Sequence, residues 1–178
     1  ATESSIWVAS SSFGTVQHIL KGKDGRWIVE QFGDRPSIGV DKSPSALTAG
    51  LDGSIWVSSK DFGTVQHIIR DKDGHWGVEQ FGDRPSIAVD KSPWTLTTGL
   101  DGSIWVGSEE LSTVQRIVPG NGTWFVQGDP LVVDRRPLLT TGRDGTIWSG
   151  STYGATYQRI VNVRGKWQGE GEPIRGLG

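Results

Sequence analysis

Asp52-Gly53-Ser54-Ile55-Trp56-Val57 joins a tight-turn dipeptide to a short run of Ile, Trp and Val. Asp-Gly ahead of such a run is the strongest short-range hairpin signal, because Gly accepts the positive φ that a two-residue hairpin turn requires. The run has copies. Ser5-Ile6-Trp7-Val8 precedes it, Ser103-Ile104-Trp105-Val106 follows it, and Thr146-Ile147-Trp148-Ser149 is a fourth, at spacings of 49, 49 and 43 residues. Ten positions after each Trp stands a glutamine: Gln17, Gln66, Gln115 and Gln158. A second Trp follows the first by 19 or 20 positions: Trp27, Trp76, Trp124 and Trp167. Three registers recurring together mark a tandem repeat, the feature that decides the architecture of such a chain.

Working outward from Trp56, one unit reads as four short strands. Ala46 to Ala49 is the first, Ser54 to Ser58 the second, Thr64 to Arg70 the third and His75 to Gln80 the fourth, with Asp52-Gly53 and Asp73-Gly74 as turns. β-Branched and aromatic residues fill these segments. A link rich in Gly and Pro, Phe81 to Pro93, leads to the next unit. Units one and two are nearly identical, and Val29 to Ile38 matches Val78 to Ile87 at every position. No stretch holds a 3.6-residue apolar period, so helices are expected to be nearly absent. Four strands in about 45 residues is the pattern of a propeller blade. The expected fold is all-β: one domain over 1–178, a small β-propeller of about four four-stranded blades, with units near 5–44, 45–93, 94–136 and 137–178. Unit one begins at its second strand. The tail Glu172 to Gly178 is expected to supply the missing first strand and close the ring. The rival is an edge left open for another chain to pair.

Composition bounds the rest. The chain has 178 residues with 26 Gly, 9 Trp, no Cys and a formal net charge of −2. Disulfides and thiolate metal sites are excluded, and packing must hold the fold. The charge does not suit a nucleic-acid binder, and no stretch reaches the roughly 20 apolar residues of a membrane helix, so no membrane insertion is expected. Ala1 to Ser5 lacks the basic and apolar regions of a signal peptide. The compartment stays open, with an extracellular setting favoured. Asn121-Gly122-Thr123 is a glycosylation sequon.

The unit Asp-Gly-x-Ile-Trp, then Gln-x-Ile, then Gly-x-Trp resembles the tectonin repeat, through Asp101-Gly102-Ser103-Ile104-Trp105, Gln115-Arg116-Ile117 and Gly122-Thr123-Trp124. It also resembles the regulator-propeller repeat through Asp101 to Gly107. The tectonin resemblance implies a carbohydrate-binding lectin of defence or cell recognition, an agglutinin. The regulator resemblance implies a sensor propeller, and its relatives include a streptogramin lyase. Both families usually have six or seven blades, more than this chain supplies.

No Gly-x-Ser-x-Gly elbow, His-Glu-x-x-His, phosphate loop or dinucleotide fingerprint occurs. His18 and His67 are repeat equivalents replaced by Arg116 and Arg159 in units three and four, which argues against a general base or metal ligand there. Asp71-Lys72-Asp73-Gly74 is read as a turn and not as a calcium loop. No catalytic residue, cofactor or metal is expected. Enzymes need one asymmetric site, whereas near-copies of a blade offer several similar shallow sites and gain by avidity on a repetitive target. The leading expectation is therefore a multivalent lectin for glycans or glycoconjugates and not an enzyme, with oligomerisation left open. The alternatives are a scaffold or sensor propeller that binds protein or peptide, and a streptogramin-lyase-like enzyme.

Trp7, Trp56, Trp105 and Trp148 are assigned to the core. The expected ligand residues are the outer Trp27, Trp76, Trp124 and Trp167, and Trp94, which replaces Ser45 of the preceding unit and is not required by the blade plan. Asp34 and Arg35, Asp83 and Arg84, and the looser copy Asp134 and Arg135 are read as salt-bridged turns or as hydroxyl-binding clamps beside those rings.

Overall fold

A computed structural model describes residues 5–176. In chain order the strands are β1 (Ser5–Ser10), β2 (Thr15–Lys21), β3 (Trp27–Val29), β4 (Ile38–Gly39), β5 (Pro44–Ala49), β6 (Ile55–Ser59), β7 (Thr64–Arg70), β8 (Trp76–Val78), β9 (Ile87–Ala88), β10 (Pro93–Thr98), β11 (Ile104–Ser108), β12 (Thr113–Gly120), β13 (Thr123–Val132), β14 (Pro137–Thr141), β15 (Ile147–Ser151), β16 (Thr156–Val163) and β17 (Lys166–Arg175). No helix occurs among the described residues. Each sheet is an antiparallel meander, β5-β6-β7-β8, β10-β11-β12-β13 and β14-β15-β16-β17, preceded by the shorter β1-β2-β3. The chain is thus a small β-propeller of four blades.

The outer position differs between halves. In blades one and two it is split, β3 with β4 on β2 and β8 with β9 on β7, around the Gly-Asp-Arg-Pro turn. In blades three and four it is one ten-residue strand with a register shift at Gly128-Asp129-Pro130 and Gly171-Glu172-Pro173. The recurrent glutamine explains itself against this feature. Gln17 and Gln66 donate from Nε2 to the Pro36 and Pro85 carbonyls at 3.2 and 3.3 Å, and Gln158 donates to the Gly171 carbonyl at 3.1 Å.

Each inner strand opens on a proline, Pro44, Pro93 or Pro137, where a missing N–H costs the ladder least. The residue before it has positive φ: Ser43 at 57°, Ser92 at 54° and Arg136 at 50°. Asp41, Asp90 and Asp134 accept from the hydroxyls of Thr64, Thr113 and Thr156, pinning each link to the third strand of the following blade. The segment 133–137 therefore matches 40–44 and 89–93. It is not a looser copy of the Gly-Asp-Arg-Pro turn.

The core lies between blades. One cluster joins Val16 and Ile38 of blade one to Ile55, Val57 and Ile68 of blade two, with Trp7 and Trp76 against it. The next joins Trp56, Val65 and Ile87 to Leu96, Ile104, Val106 and Ile117. The third joins Trp105 and Val114 to Leu139, Ile147 and Ile160. Inner strands touch in series, β5 to β10 and β10 to β14, and the second strand β1 of blade one touches β5.

The tail does not close the ring. Ile174 pairs with Tyr157 and Arg175 with Thr156, so the end of β17 completes its own blade as β4 and β9 complete theirs. The last two residues of the expected closing strand, Leu177 and Gly178, lie outside the described residues. Among the described residues the first position of blade one is unfilled, and the four blades form an open arc.

Candidate functional site

A meander turns alternately at its two ends. The Asp-Gly turns gather at one end of the arc. The loops from second to third strand gather at the other, with the links that lead into the inner strands. Along the strands the blades repeat, but these loops do not. The corresponding pairs are Ser11-Ser12, Lys60-Asp61, Glu109-Glu110 and Thr152-Tyr153. The scaffold is symmetric and the chemistry it presents is not.

At that end blades two, three and four surround a shallow cavity of about 640 Å³, lined by Lys60, Glu109, Glu110, Arg135, Arg136 and Tyr153 among others. Glu109 is the hub. It accepts from Lys60 Nζ at 2.6 Å and from the Arg136 guanidinium, and its side chain is only 12% exposed. Two cations on one carboxylate compensate its charge and fix its position. Arg136 also donates from Nη1 to the Tyr153 hydroxyl at 3.2 Å and lies 5.2 Å from the Tyr153 ring centre. Glu110 is different: its partner is the Ser92 hydroxyl at 3.3 Å, and it has no ion pair among the described residues.

The same backbone position supplies the partner in each blade. Ser43 reaches Asp61, Ser92 reaches Glu110 and Arg136 reaches Tyr153. One geometry thus carries a hydroxyl with a carboxylate twice and a guanidinium with a phenol once. Trp94 sits beside the cluster, 5.3 Å from Lys60 Nζ and 5.7 Å from Arg136 Cζ measured to its ring centre. It is the extra residue of a β-bulge between Pro93 and Thr95, which re-aims its side chain. Arg135 lines the cavity, while its amide donates to its neighbour Asp134 at 2.7 Å. The Thr156 hydroxyl and that Arg135 amide hold the Asp134 carboxyl below its ordinary range.

The other expected ligand residues are elsewhere. Trp76, Trp124 and Trp167 are staples between blades. Each packs edge-on against the second-strand Trp of the blade before it: Trp76 on Trp7 at 4.8 Å, Trp124 on Trp56 at 4.7 Å, Trp167 on Trp105 at 4.8 Å. A third-strand cation or imidazole completes each set, His18 stacked on Trp7, His67 stacked on Trp56, and Arg116 over Trp105 and Trp167. The imidazoles are buried and bound to Glu30 and Glu79 through Nδ1 at 2.6 Å. Burial pushes His67 below its ordinary pKa, against the pull of Glu79. Trp27, the matching residue of blade one, is 50% exposed. Asp34, Arg35, Asp83 and Arg84 are exposed in outer turns and form no ion pairs among the described residues. Those turns close through the backbone instead, Phe32 with Arg35 and Phe81 with Arg84.

Neither a family model nor a curated protein matches the chain. Solved structures do. The virginiamycin B lyase of Staphylococcus aureus is 18% identical, covers 95% of this chain and superposes with a TM-score of 0.62. A catalytically inactive histidine-to-alanine variant of that lyase with quinupristin gives 18%, 98% and 0.62. A candidate 6-phosphogluconolactonase of Bacteroides uniformis gives 12%, 96% and 0.70. The chain spans about half of each, 52%, 53% and 53% of their lengths. At these identities the likeness establishes the propeller fold.

Two expectations need correction. Two of these structures are of one lyase and the third is of a candidate lactonase, and none of the three is a lectin, which overturns both the multivalent lectin reading and the expectation of no enzyme. Three of the four outer tryptophans that were to stack on sugars are occupied in packing blade on blade. Repetition does not forbid an asymmetric centre here, because the loops from second to third strand differ from blade to blade. Lys60, Glu109, Glu110, Arg136 and Tyr153 were missed for that reason, and the usable signal was the place where aligned units stop agreeing.

Proposed function

We propose that the chain is a propeller enzyme of the lyase and lactonase kind, with its catalytic centre among Lys60, Glu109, Glu110, Arg136 and Tyr153. The observation that carries this reading is the convergence of unlike loops from three blades on one polar cavity. A lyase cleaves by elimination, and a lactonase opens a cyclic ester with water. Either reaction needs a proton acceptor and a positive site for developing oxyanion charge. Arg136 and Lys60, fixed by Glu109, suit the second task. Glu110, free of a cation, suits the first. The Tyr153 hydroxyl, set by Arg136, is placed to return a proton. Glu109 is a positioning residue.

The test is to incubate the purified chain with quinupristin and with 6-phosphogluconolactone and follow both by mass spectrometry. The proposal expects turnover of one of them. A product of unchanged mass reports elimination, and the gain of one water reports hydrolysis. Glu110→Gln and Tyr153→Phe are each expected to lower kcat by about 100-fold or more while leaving the fold intact. A folded chain that converts neither compound refutes the proposal.

A further inference from the structure

The Trp staples form a ladder with two loose ends. At every internal junction the rung has three parts: a second-strand Trp, the third-strand His or Arg beside it, and the outer-strand Trp of the next blade. Blade four carries the first two parts, Trp148 with Arg159 at 5.8 Å from its ring centre, and no outer Trp meets them among the described residues. Blade one carries the third part, Trp27, and it meets no second-strand Trp. The two faces left open are the two halves of one junction.

The surrounding positions agree. Ile6 and Val8 on the open face of blade one are 51% and 42% exposed, whereas their equivalents are buried: Ile55 at 5%, Ile104 at 0%, Val57 at 2% and Val106 at 3%. On the open face of blade four Tyr157 is 50% exposed, where Val16, Val65 and Val114 in the same register are at 0%. Apolar faces of this kind mark an interface. The occupant must offer a second-strand Trp to one face and an outer Trp to the other, and this chain offers both.

We infer that two copies associate head to tail, the Trp27 face of each on the Trp148–Arg159 face of the other, to complete a ring. The interface is heterologous and repeats the junctions already present within the chain, so association that stops at two copies means the ring has closed. This inference does not depend on the enzymatic reading.

The test is the mass of the 178-residue chain by light scattering and sedimentation velocity across dilution. The expected mass is twice 19.3 kDa. Trp27→Ala and Trp148→Ala each remove both junctions of a homodimer and are expected to weaken association by about 30-fold or more. Mixing the two variants restores one intact junction and is expected to recover the two-copy species. Far-UV circular dichroism of Trp27→Ala, whose ring is half exposed, verifies that loss of association is not loss of fold. A wild-type chain that stays monomeric at about 100 μM, well above the dissociation constants of typical specific interfaces, overturns the inference, since other blades or another partner then cover the faces. Dimers indifferent to Trp27→Ala, or an open-ended series of larger species, overturn it equally.

Discussion

Ile6 and Ile55 occupy the same place in two nearly identical blades, yet Ile6 is 51% exposed and Ile55 is 5% exposed. The residues beside them are alike, Trp7 with His18 and Trp56 with His67, each pair stacked. What differs is the neighbour. Blade two is enclosed by blades one and three, and blade one has only blade two. Burial in this molecule is therefore conferred at junctions, and stability is close to a sum of terms between adjacent units.

Substitutions at equivalent positions break or sharpen that comparison. The largest effect is expected at the stacked tryptophans. Trp56 is fully buried between its own blade and blade three, so Trp56→Ala should cost about 3–5 kcal/mol. Trp7 packs in the same way against blade two but is only half-buried, and Trp7→Ala should cost about half as much. Urea denaturation midpoints of the two variants provide the measurement. Equal losses would mean that the blades act as independent units.

The next effect is at the isoleucines. Ile55→Ala should cost about 2–4 kcal/mol, and Ile6→Ala within about 0.5 kcal/mol, both measured at dilutions where the chain is monomeric. A cost for Ile6 that grows with protein concentration would show its face being covered by association. A cost that matches Ile55 at every dilution would mean the face is never exposed.

The same contrast explains what could be read from the residues alone. The strands and Asp-Gly turns were legible because period, turn chemistry and β-branched composition are local. Asp52 accepting from the Ser54 amide at 3.0 Å is such a local device, repeated at Asp101 and Asp144. Trp56 and Trp105 were legible as core for the same reason. The roles of Trp76, Trp124 and Trp167 were not, because their partners sit one blade away and about 70 residues or fewer back in the chain, a separation that no local pattern encodes. The path of Ile174 and Arg175 was misjudged because an edge strand can pair on either side, and the bulge at Gly171 that returns it to its own blade shows only in the register. Among the candidate site residues, Trp94 was legible as a departure from the repeat, and Arg135 only through a supposed recurrence of the Gly-Asp-Arg-Pro turn. Glu109 and Tyr153 were not, although they depart from it equally, because recurrence along the chain marks the scaffold and carries no mark of the loops that differ.

The smallest effect concerns protons and again turns on burial at a junction. His67 is enclosed by Trp56 and Trp124, with Glu79 bound to it and Asp52 the other charge nearby. Burial lowers its pKa in the fold below the ordinary 6.5, so the unfolded chain binds the proton more readily. Stability from this group is complete above pH 6.5 and is lost as pH falls from there toward the folded value. The carboxyl of Asp101 acts lower on the scale: burial works to raise it, but hydrogen bonds from Ser103 and Arg116 hold it below 3.8, so its contribution goes only in stronger acid. The two limbs are separable. His67→Gln should flatten the melting temperature between pH 7 and the carboxylate range, the shift being smaller than that of either alanine substitution above, and leave the acid limb in place. A wild-type melting temperature that is flat across the first window would mean that His67 keeps its proton inside the rung, and that the imidazole there does the work that the Arg116 guanidinium does one blade along.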